Sequence, residues 1–152
     1  MPELTISTTL PENAPMSLLL EADPSEKQIQ TYLEESLIYV AMLNNKAVGV
    51  CVIQAMPLHN AELMNIAVCP THQSKGIGSQ LLLHAIKQTK QLGIKTLTLG
   101  TGTFGYQLSF YQRAGFRVTS IDKDFFLRHY DEPIFENGIQ HKDMLRLTLS
   151  LQ

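Results

Sequence analysis

Hydrophobic and polar residues alternate with a period of two along several stretches of the chain, which is typical of strands with one buried face. The segment Leu4–Thr9 is a short example, and the final apolar segment, MLRLTLSL, alternates most regularly. The runs LIYVAML and KAVGVCVIQAM are joined by Asn44-Asn45, a dipeptide that favours a tight hairpin. The run AELMNIAV then continues an antiparallel meander after a predicted turn at His59-Asn60.

Two other stretches have the period of amphipathic helices. In DPSEKQIQTYLEES, Asp23 is the candidate N-cap, Pro24 suits the first helical position, and Glu26 lies three residues after the cap. From Gly76 onward, apolar residues recur at spacings of three to five, and Gly93 is the predicted end of that helix.

The second half of the chain continues the alternation of strands and helices. IKTLTL is predicted to be a strand, GTGTFG a loop, YQLSFYQRA a short helix closed by Gly115, and FRVTSID a further strand. The resulting order is β-α-α-β-β-β-α-β-α-β-β. This order predicts an α+β fold with a mixed, mostly antiparallel central sheet flanked by helices. Because no repeat or linker divides the chain, residues 1–152 are expected to form a single domain.

Composition excludes several classes of function. The formal net charge of −2 is unlike the basic surface that broad nucleic-acid binding requires. Cys51 and Cys69 lie in or beside apolar runs without metal-ligand spacing, so free thiols are expected and no metal site. The N-terminal residues lack a signal-peptide pattern, and no apolar run reaches the ~20 residues that span a bilayer. We therefore expect a cytoplasmic protein that does not bind membranes.

The segment QSKGIG, residues 73–78, places two glycines at the start of a predicted helix, where each costs ~1 kcal/mol relative to alanine. The first turn of a helix has unpaired N–H groups and a partial positive charge, so it attracts anions. Gly76 and Gly78 leave that backbone bare, and Lys75 adds a positive charge. The segment is neither a Walker loop nor a GxGxxG fingerprint. Two interpretations remain open here: an anion site, or a helix start that uses glycines for close packing.

The same segment matches a family signature. Residues 73–78 fit the Q/R-x-x-G-x-G/A pattern of the GNAT N-acetyltransferase superfamily, and NIAVCPTHQ and FYQRAGF resemble two further landmarks of that family in the expected order. The resemblance covers nearly the whole chain and is strongest from Glu62 to Val118. It implies a GNAT-like fold in which the strands AELMNIAV and IKTLTL diverge at the cofactor site, and it implies acetyl-CoA as the co-substrate.

The resemblance also implies how acetyl-CoA binds. Its pyrophosphate would lie against backbone amides from Ser74 to Ser79, and its pantetheine arm would pair with the main chain of residues 66–68 like an added strand. The implied cofactor-binding residues are Ile66, Ala67, Val68, Gln73, Ser74, Lys75, Gly76, Ile77, Gly78 and Ser79. One position departs from the family: many relatives have asparagine seven residues before the motif tyrosine, where this chain has Phe104. In those relatives the asparagine contacts the cofactor arm, and Thr101, Thr103 and Tyr106 are candidates to replace that contact.

Acetyl transfer to an amine needs a base for the ammonium, whose pKa is ~10.4 for a lysine-like amine, a donor to the carbonyl oxygen, and an acid for the leaving sulfur. The resemblance implies Tyr111 as the acid; the alternative is that Tyr111 only packs, as Phe110 does. Glu62 is the best candidate for the base, although glutamates near strand starts are commonly just solvated, and His59 is a second candidate. The backbone N–H of Val68, or of a neighbour at the strand divergence, is the implied carbonyl donor.

These features predict an acetyl-CoA-dependent N-acetyltransferase that transfers the acetyl group directly to a primary amine of a small molecule. The acceptor pocket is expected from MSLLLEADPSEKQIQTYLEES and from DKDFFLRHYDEPIFENGIQHKD, whose aromatic and acidic residues suit a cationic amine; a surface loop is the alternative. Two other functions stay open, a non-catalytic acyl-CoA-binding module and an acetyltransferase of peptide or protein amines. A homodimer is a further expectation, since dimers are common in the family that the chain resembles, and the last strand is a candidate to pair across its interface.

Overall fold

The computed structural model describes residues 3–152. In that part of the chain the strands are β1 (Thr5–Thr9), β2 (Leu37–Leu43), β3 (Lys46–Met56), β4 (Asn60–Val68), β5 (Thr96–Gly102), β6 (Arg117–Asp122), β7 (Phe135–Glu136), β8 (Ile139–Gln140) and β9 (Met144–Ser150). The α-helices are α1 (Met16–Ala22), α2 (Glu26–Leu33), α3 (Ile77–Gln91), α4 (Tyr106–Arg113) and α5 (Phe125–His129). The predicted α+β class is confirmed.

Seven strands form the central sheet in the order β1-β2-β3-β4-β5-β9-β6, and β7 pairs with β8 in a separate hairpin. All neighbours in the central sheet are antiparallel except β4 and β5, which are parallel. Because β9 lies between β5 and β6, both of its edges are already paired. The last strand therefore does not pair across an interface, and the homodimer itself stays a prediction. The free edges of the sheet belong to β1 and β6.

The predicted divergence of two central strands is confirmed. β4 pairs with β5 only where residues 60–63 lie beside residues 96–99, although β4 continues to Val68 and β5 to Gly102. A β-bulge sits at Met64, where the register with β3 shifts. Residues 64–68 and 100–102 therefore flank a gap in the sheet, which we call the β4–β5 opening.

The bulge also decides which side of the sheet each β4 side chain faces. Before it, Ala61 and Leu63 pack into the core beneath α3 and α4. After it, Ala67 packs into the second core beneath α1 and α2, and the buried Asn65 donates from Nδ2 to the Leu19 carbonyl oxygen of α1 at 3.0 Å. Each fully buried aliphatic side chain in these cores contributes roughly 1.5–3 kcal/mol. Two apolar layers thus clamp the sheet and hold the β4–β5 opening in place.

Local turn signals were predicted with mixed success. Asn44 and Asn45 both have positive φ, 53° and 62°, which confirms the tight hairpin between β2 and β3. The predicted turn at His59-Asn60 is confirmed at His59 and wrong at Asn60. The turn occupies residues 57–59, and Asn60 already begins β4.

The N-cap of α2 is also corrected. Ser25, not Asp23, caps the helix, and its hydroxyl accepts from the Gln28 N–H at 3.2 Å. Asp23 instead accepts a hydrogen bond from the Ser25 N–H at 3.1 Å, which turns the chain before the helix begins at Glu26. Both residues are good caps in isolation, but the Asp23 carboxylate accepts from the hydroxyls of Tyr130 and Tyr32 instead.

Two segments expected as loop contain regular structure. β5 extends through Gly102 into the predicted GTGTFG loop. The long segment before the last strand, residues 123–143, contains α5 and the β7–β8 hairpin. We call these residues the strap.

Candidate active site

The start of α3 has the geometry that the glycine motif predicted. Gly76 is the N-cap, with φ 81° in the left-handed region, and no side chain caps the helix. The first bond within the helix runs from the Gln80 N–H to the Gly76 carbonyl oxygen at 3.1 Å. The N–H groups of the preceding helical residues have no acceptor inside the helix, so the turn offers donors to an anion.

Close packing does not account for the two glycines. A Cβ built at Gly76 would meet no atom within 4 Å, so that position needs glycine for its positive φ. A Cβ at Gly78 would lie 3.6 Å from Val68 Cγ2 and 3.7 Å from Phe110 Cζ, which is ordinary contact. Close packing, the second interpretation left open by the sequence, therefore does not explain the glycines. The geometry favours the first interpretation, an anion site.

The loop before α3 is tied to the end of β4. Gln73 donates from Nε2 to the Val68 carbonyl oxygen at 3.1 Å, and Ser74 has a positive φ of 64°. Lys75 is exposed and does not line the neighbouring cleft, unlike the other residues predicted to bind the cofactor. The role of Lys75 in binding the cofactor stays a prediction.

A cleft of about 410 Å³ lies between β4, the end of α1, the start of α3 and one face of α4. The predicted cofactor residues that line it are Ile66, Ala67, Val68, Gln73, Ser74, Gly76, Ile77, Gly78 and Ser79. Tyr106, one of the candidates to replace the family asparagine, also lines it, and the lining residues that the sequence did not single out for the cofactor are Glu21, Ala22, His72, Gln107 and Phe110. The α4 residues among them, with Tyr111, have helical spacing, and that signal could have identified them.

The main chain of β4 presents alternate residues to the opening. The Cys69 N–H donates to the Val48 carbonyl oxygen at 2.8 Å, which makes Val68 and Gly49 a non-hydrogen-bonded pair of the antiparallel ladder. The N–H and C=O groups of Val68, and by the same alternation those of Ile66, therefore point away from β3. They face the β4–β5 opening, as an added strand requires.

Tyr111 reaches the cleft from α4 and is only 6% exposed. Its ring packs edge-on against Phe110 and Phe116, with centroids 5.3 Å and 6.0 Å away. Burial raises the pKa of the phenol well above its ordinary value. Tyr111 is thus held rigidly and stays protonated, as a proton donor must, and its role as the acid stays a prediction.

Glu62 does not line this cleft. Its carboxylate is held by Arg146 of β9, with Nη1 donating to Oε2 at 3.2 Å and Nη2 lying 3.2 Å from Oε1. The pair lies on the face of the sheet that α1 and α2 cover, and Glu62 is one-fifth exposed. The base role of Glu62 stays a prediction, and Arg146 is a partner that no sequence signal indicated.

The departure at Phe104 has a structural explanation. Its ring stacks on His141 of the strap, with centroids 4.2 Å apart and planes 3° from parallel. His141 also bonds Glu136 through Nε2 at 2.9 Å, and the Glu136 carboxylate sits against the backbone of Gly105, where α4 begins. The position that carries an asparagine in many relatives therefore packs the strap here. Of the suggested replacements, Tyr106 lines the cleft.

Residues 3–152 contain neither a membrane-spanning helix nor a cluster of metal ligands. No helix there is long and apolar enough to cross a bilayer. Likewise, no group of three His, Cys, Asp or Glu side chains in that range is placed to hold a metal ion.

Comparison with known proteins agrees with this geometry. A family model described as an acetyltransferase (GNAT) domain matches residues 34–118. The chain is 50% identical to the uncharacterized N-acetyltransferase YvbK of Bacillus subtilis strain 168 over 135 residues, which is 88% of this chain and 87% of that protein. It is 34% identical over 99 residues to a [ribosomal protein bS18]-alanine N-acetyltransferase of Haemophilus influenzae, which is 65% of this chain and 64% of that one.

A solved structure extends the agreement to the ligand. A GNAT family acetyltransferase from Elizabethkingia anophelis, crystallised with acetyl-CoA bound, superimposes with a TM-score of 0.92 at 42% identity and covers 97% of each chain. The interpretation as a non-catalytic module finds no support among these relatives. The chain belongs to the GNAT acetyltransferase family, as an N-acetyltransferase with acetyl-CoA as its co-substrate.

Proposed function

We propose that this enzyme acetylates a primary amine of a small molecule. The observation that carries the proposal is the attachment of the strap to α2 and to the connection before it. Tyr130 donates from its hydroxyl to Asp23 Oδ1 at 3.0 Å, and Gln28 donates from Nε2 to the His129 carbonyl oxygen at 2.7 Å. Near the C-terminal end of the strap, His141 stacks on Phe104.

The attached strap favours an enclosed acceptor site. Asp23 is 9% exposed, and burial raises its pKa, although the Ser25 N–H and the Tyr130 hydroxyl that donate to it oppose the shift. A carboxylate with so little access to water depends on its hydrogen-bond partners, so opening the strap to admit a peptide would be costly. A compact amine needs no such opening.

The proposed reaction is direct transfer. A proton of the acceptor ammonium passes to the Glu62 carboxylate through water, and the freed amine attacks the thioester carbonyl. A main-chain N–H of β4 that faces the opening, at Ile66 or Val68, donates to the carbonyl oxygen as it gains negative charge. The C–N bond forms and leaves a second proton on the nitrogen, which is now cationic. As the C–S bond breaks, the sulfur of CoA takes the proton of Tyr111, and the phenolate regains a proton from that nitrogen through water. Glu62 returns its proton to solvent. Holding both substrates side by side supplies much of the rate enhancement.

Acidic residues of the strap supply the attraction for a cationic amine. Tyr130, Asp131 and Glu132 line a pocket of about 310 Å³ with Pro24 and Ser25. Asp131 and Glu132 are exposed, so each contributes about 0.2–1 kcal/mol to attraction of an ammonium group.

The test is turnover on a panel of amines. The purified enzyme is mixed with acetyl-CoA and with spermidine, an aminoglycoside, an arylalkylamine or a short peptide beginning with alanine, and released CoA is followed with a thiol-reactive dye. We expect amine-dependent release with at least one small amine and none with the peptide. Turnover of the peptide alone would reject the proposal and favour the activity that names the Haemophilus relative.

A further inference from the structure

The β4–β5 opening has a closed end, where the pairing of the two strands stops. Leu63 and Leu99 are the last paired residues of the two strands, so the opening begins directly beyond them. Glu62 precedes this end on β4, and Gly100 follows it on β5. An acyl arm that runs along β4 from Val68 toward Leu63 extends its thioester past Ile66 toward this closed end.

Arg146 reaches the closed end from two strands away. It lies opposite Gly100 in the register of β9 with β5, and its side chain crosses β5 to Glu62 on β4. Both terminal nitrogens contact the carboxylate, at 3.2 Å each. Such a two-point contact fixes the orientation of a carboxylate as well as its location.

Gly100 makes this crossing feasible. A Cβ at position 100 would lie 2.9 Å from Arg146 Nη1 and would collide with Met144. Because the φ of Gly100 is not positive, the backbone conformation does not require glycine there. The bare backbone leaves room first for the end of Met144 and then for the guanidinium of Arg146.

We propose that Arg146 is a positioning residue for acetyl transfer, which fixes Glu62 at the closed end of the opening. This inference rests on the proposed function. An ionised carboxylate has about four lone-pair sites, and the guanidinium uses two, so Glu62 retains sites that accept the proton of the acceptor.

The pair also bears on substrate preference. Glu62 and Arg146 together carry no net charge, so they offer little attraction to a cationic acceptor at the closed end. That attraction falls to Asp131 and Glu132 of the strap. The enzyme thus separates the group that accepts the proton from the groups that bind the acceptor.

A salt bridge that only stabilised the sheet would behave differently. Its loss would lower the melting temperature without a specific effect on kcat. A positioning role instead predicts that kcat falls while KM for acetyl-CoA is unchanged. It also predicts that the effect disappears once Glu62 is neutralised.

The experiment compares wild type, R146K, R146Q, E62Q and the double variant E62Q/R146Q on an amine that the wild type acetylates. R117Q is the matched control, because Arg117 is exposed on β6 and pairs with no carboxylate within residues 3–152. We expect R146Q to lower kcat by about 10- to 100-fold, with KM for acetyl-CoA within about twofold of the wild type. R146K should recover part of the loss, and R117Q should be unaffected.

The double variant decides between the two roles. We expect R146Q to cost less than about twofold in kcat in the E62Q background, because no base is left to position. The inference is overturned if R146Q leaves kcat within twofold of the wild type, or if it costs as much with E62Q as without. Melting curves identify unfolded variants, and if R146Q does not fold, R146K and E62D carry the same comparison. A wild type inactive on every amine would reject the proposed function as well, whereas an active wild type with an unaffected R146Q rejects only the role of Arg146.

Discussion

The two ends of α3 provide a matched pair of glycines that separates folding from ligand binding. Gly76 begins the helix with φ 81°, and Gly93 follows it with φ 82°. A Cβ at either position would meet no atom within 4 Å. The substitutions G76A and G93A therefore impose the same backbone strain and create no clash.

The expected cost follows from this geometry. Placing alanine in the left-handed region costs roughly 1–2 kcal/mol, and the lower entropy of the unfolded alanine variant offsets about 0.5–1 kcal/mol of it. Each variant should lose about 1 kcal/mol of unfolding free energy, which lowers Tm by roughly 2–4 °C in a chain of this size. G78A should instead be neutral or gain about 0.5 kcal/mol, because its methyl group makes ordinary contacts with Val68 and Phe110 in a helical position.

Binding of CoA should distinguish the two strained variants. If the Gly76 turn directs N–H groups at the diphosphate, then relaxing its left-handed conformation in G76A weakens a charge-assisted hydrogen bond worth about 1.5–3 kcal/mol, or at least tenfold in Kd. G93A lies at the opposite end of the helix and should bind CoA like the wild type. Denaturant melts and calorimetric titration with CoA measure both quantities. Equal Kd values for G76A and G93A would refute the reasoning.

Three further predictions follow from individual side chains. Y111F should lower kcat by about 100-fold with little change in Tm, because the ring contacts remain. Since burial raises the pKa of the phenol, the wild type should not lose activity through Tyr111 between pH 7 and about 9, which a pH profile of both proteins checks. D131N/E132Q should raise KM for a cationic amine by about 3- to 10-fold with kcat nearly constant, and an unchanged KM would place the acceptor elsewhere. Iodoacetamide should modify Cys69 before Cys51, because a hydrogen bond from Thr71 lowers the pKa of Cys69 whereas burial raises the pKa of Cys51. Mass spectrometry follows the modification, and earlier modification of Cys51 would contradict the buried core.

The sequence identified elements whose signals are local. The helix after Gly76 and its end at Gly93 were predictable because apolar spacing and a left-handed terminal residue are properties of a short segment. The start of α3 and the cleft beside it were likewise predictable, since a motif of six residues carries the conformation. The strap was not: its two strands are two residues each, which is too short for a period to appear.

Contacts between distant residues were beyond any local pattern. Glu62 and Arg146 are separated by 84 positions, and Asp23 and Tyr130 by 107. The first pair depends on β9 lying beside β5, and the second depends on the strap reaching α2. Asp23 looked like a helix cap because its sequence neighbours suit one, whereas its partner Tyr130 comes from the far end of the chain.

The central claim is that main-chain N–H groups at the start of α3 bind the diphosphate of acetyl-CoA. The most direct test follows the amide signals of Gly76, Gly78 and Ser79 in ¹⁵N–¹H correlation spectra during titration with CoA and, separately, with pantetheine, which lacks the diphosphate. These amide protons should move downfield with CoA and stay in place with pantetheine. If they are unmoved by saturating CoA, or move equally with both compounds, the diphosphate is bound elsewhere and the account is contradicted.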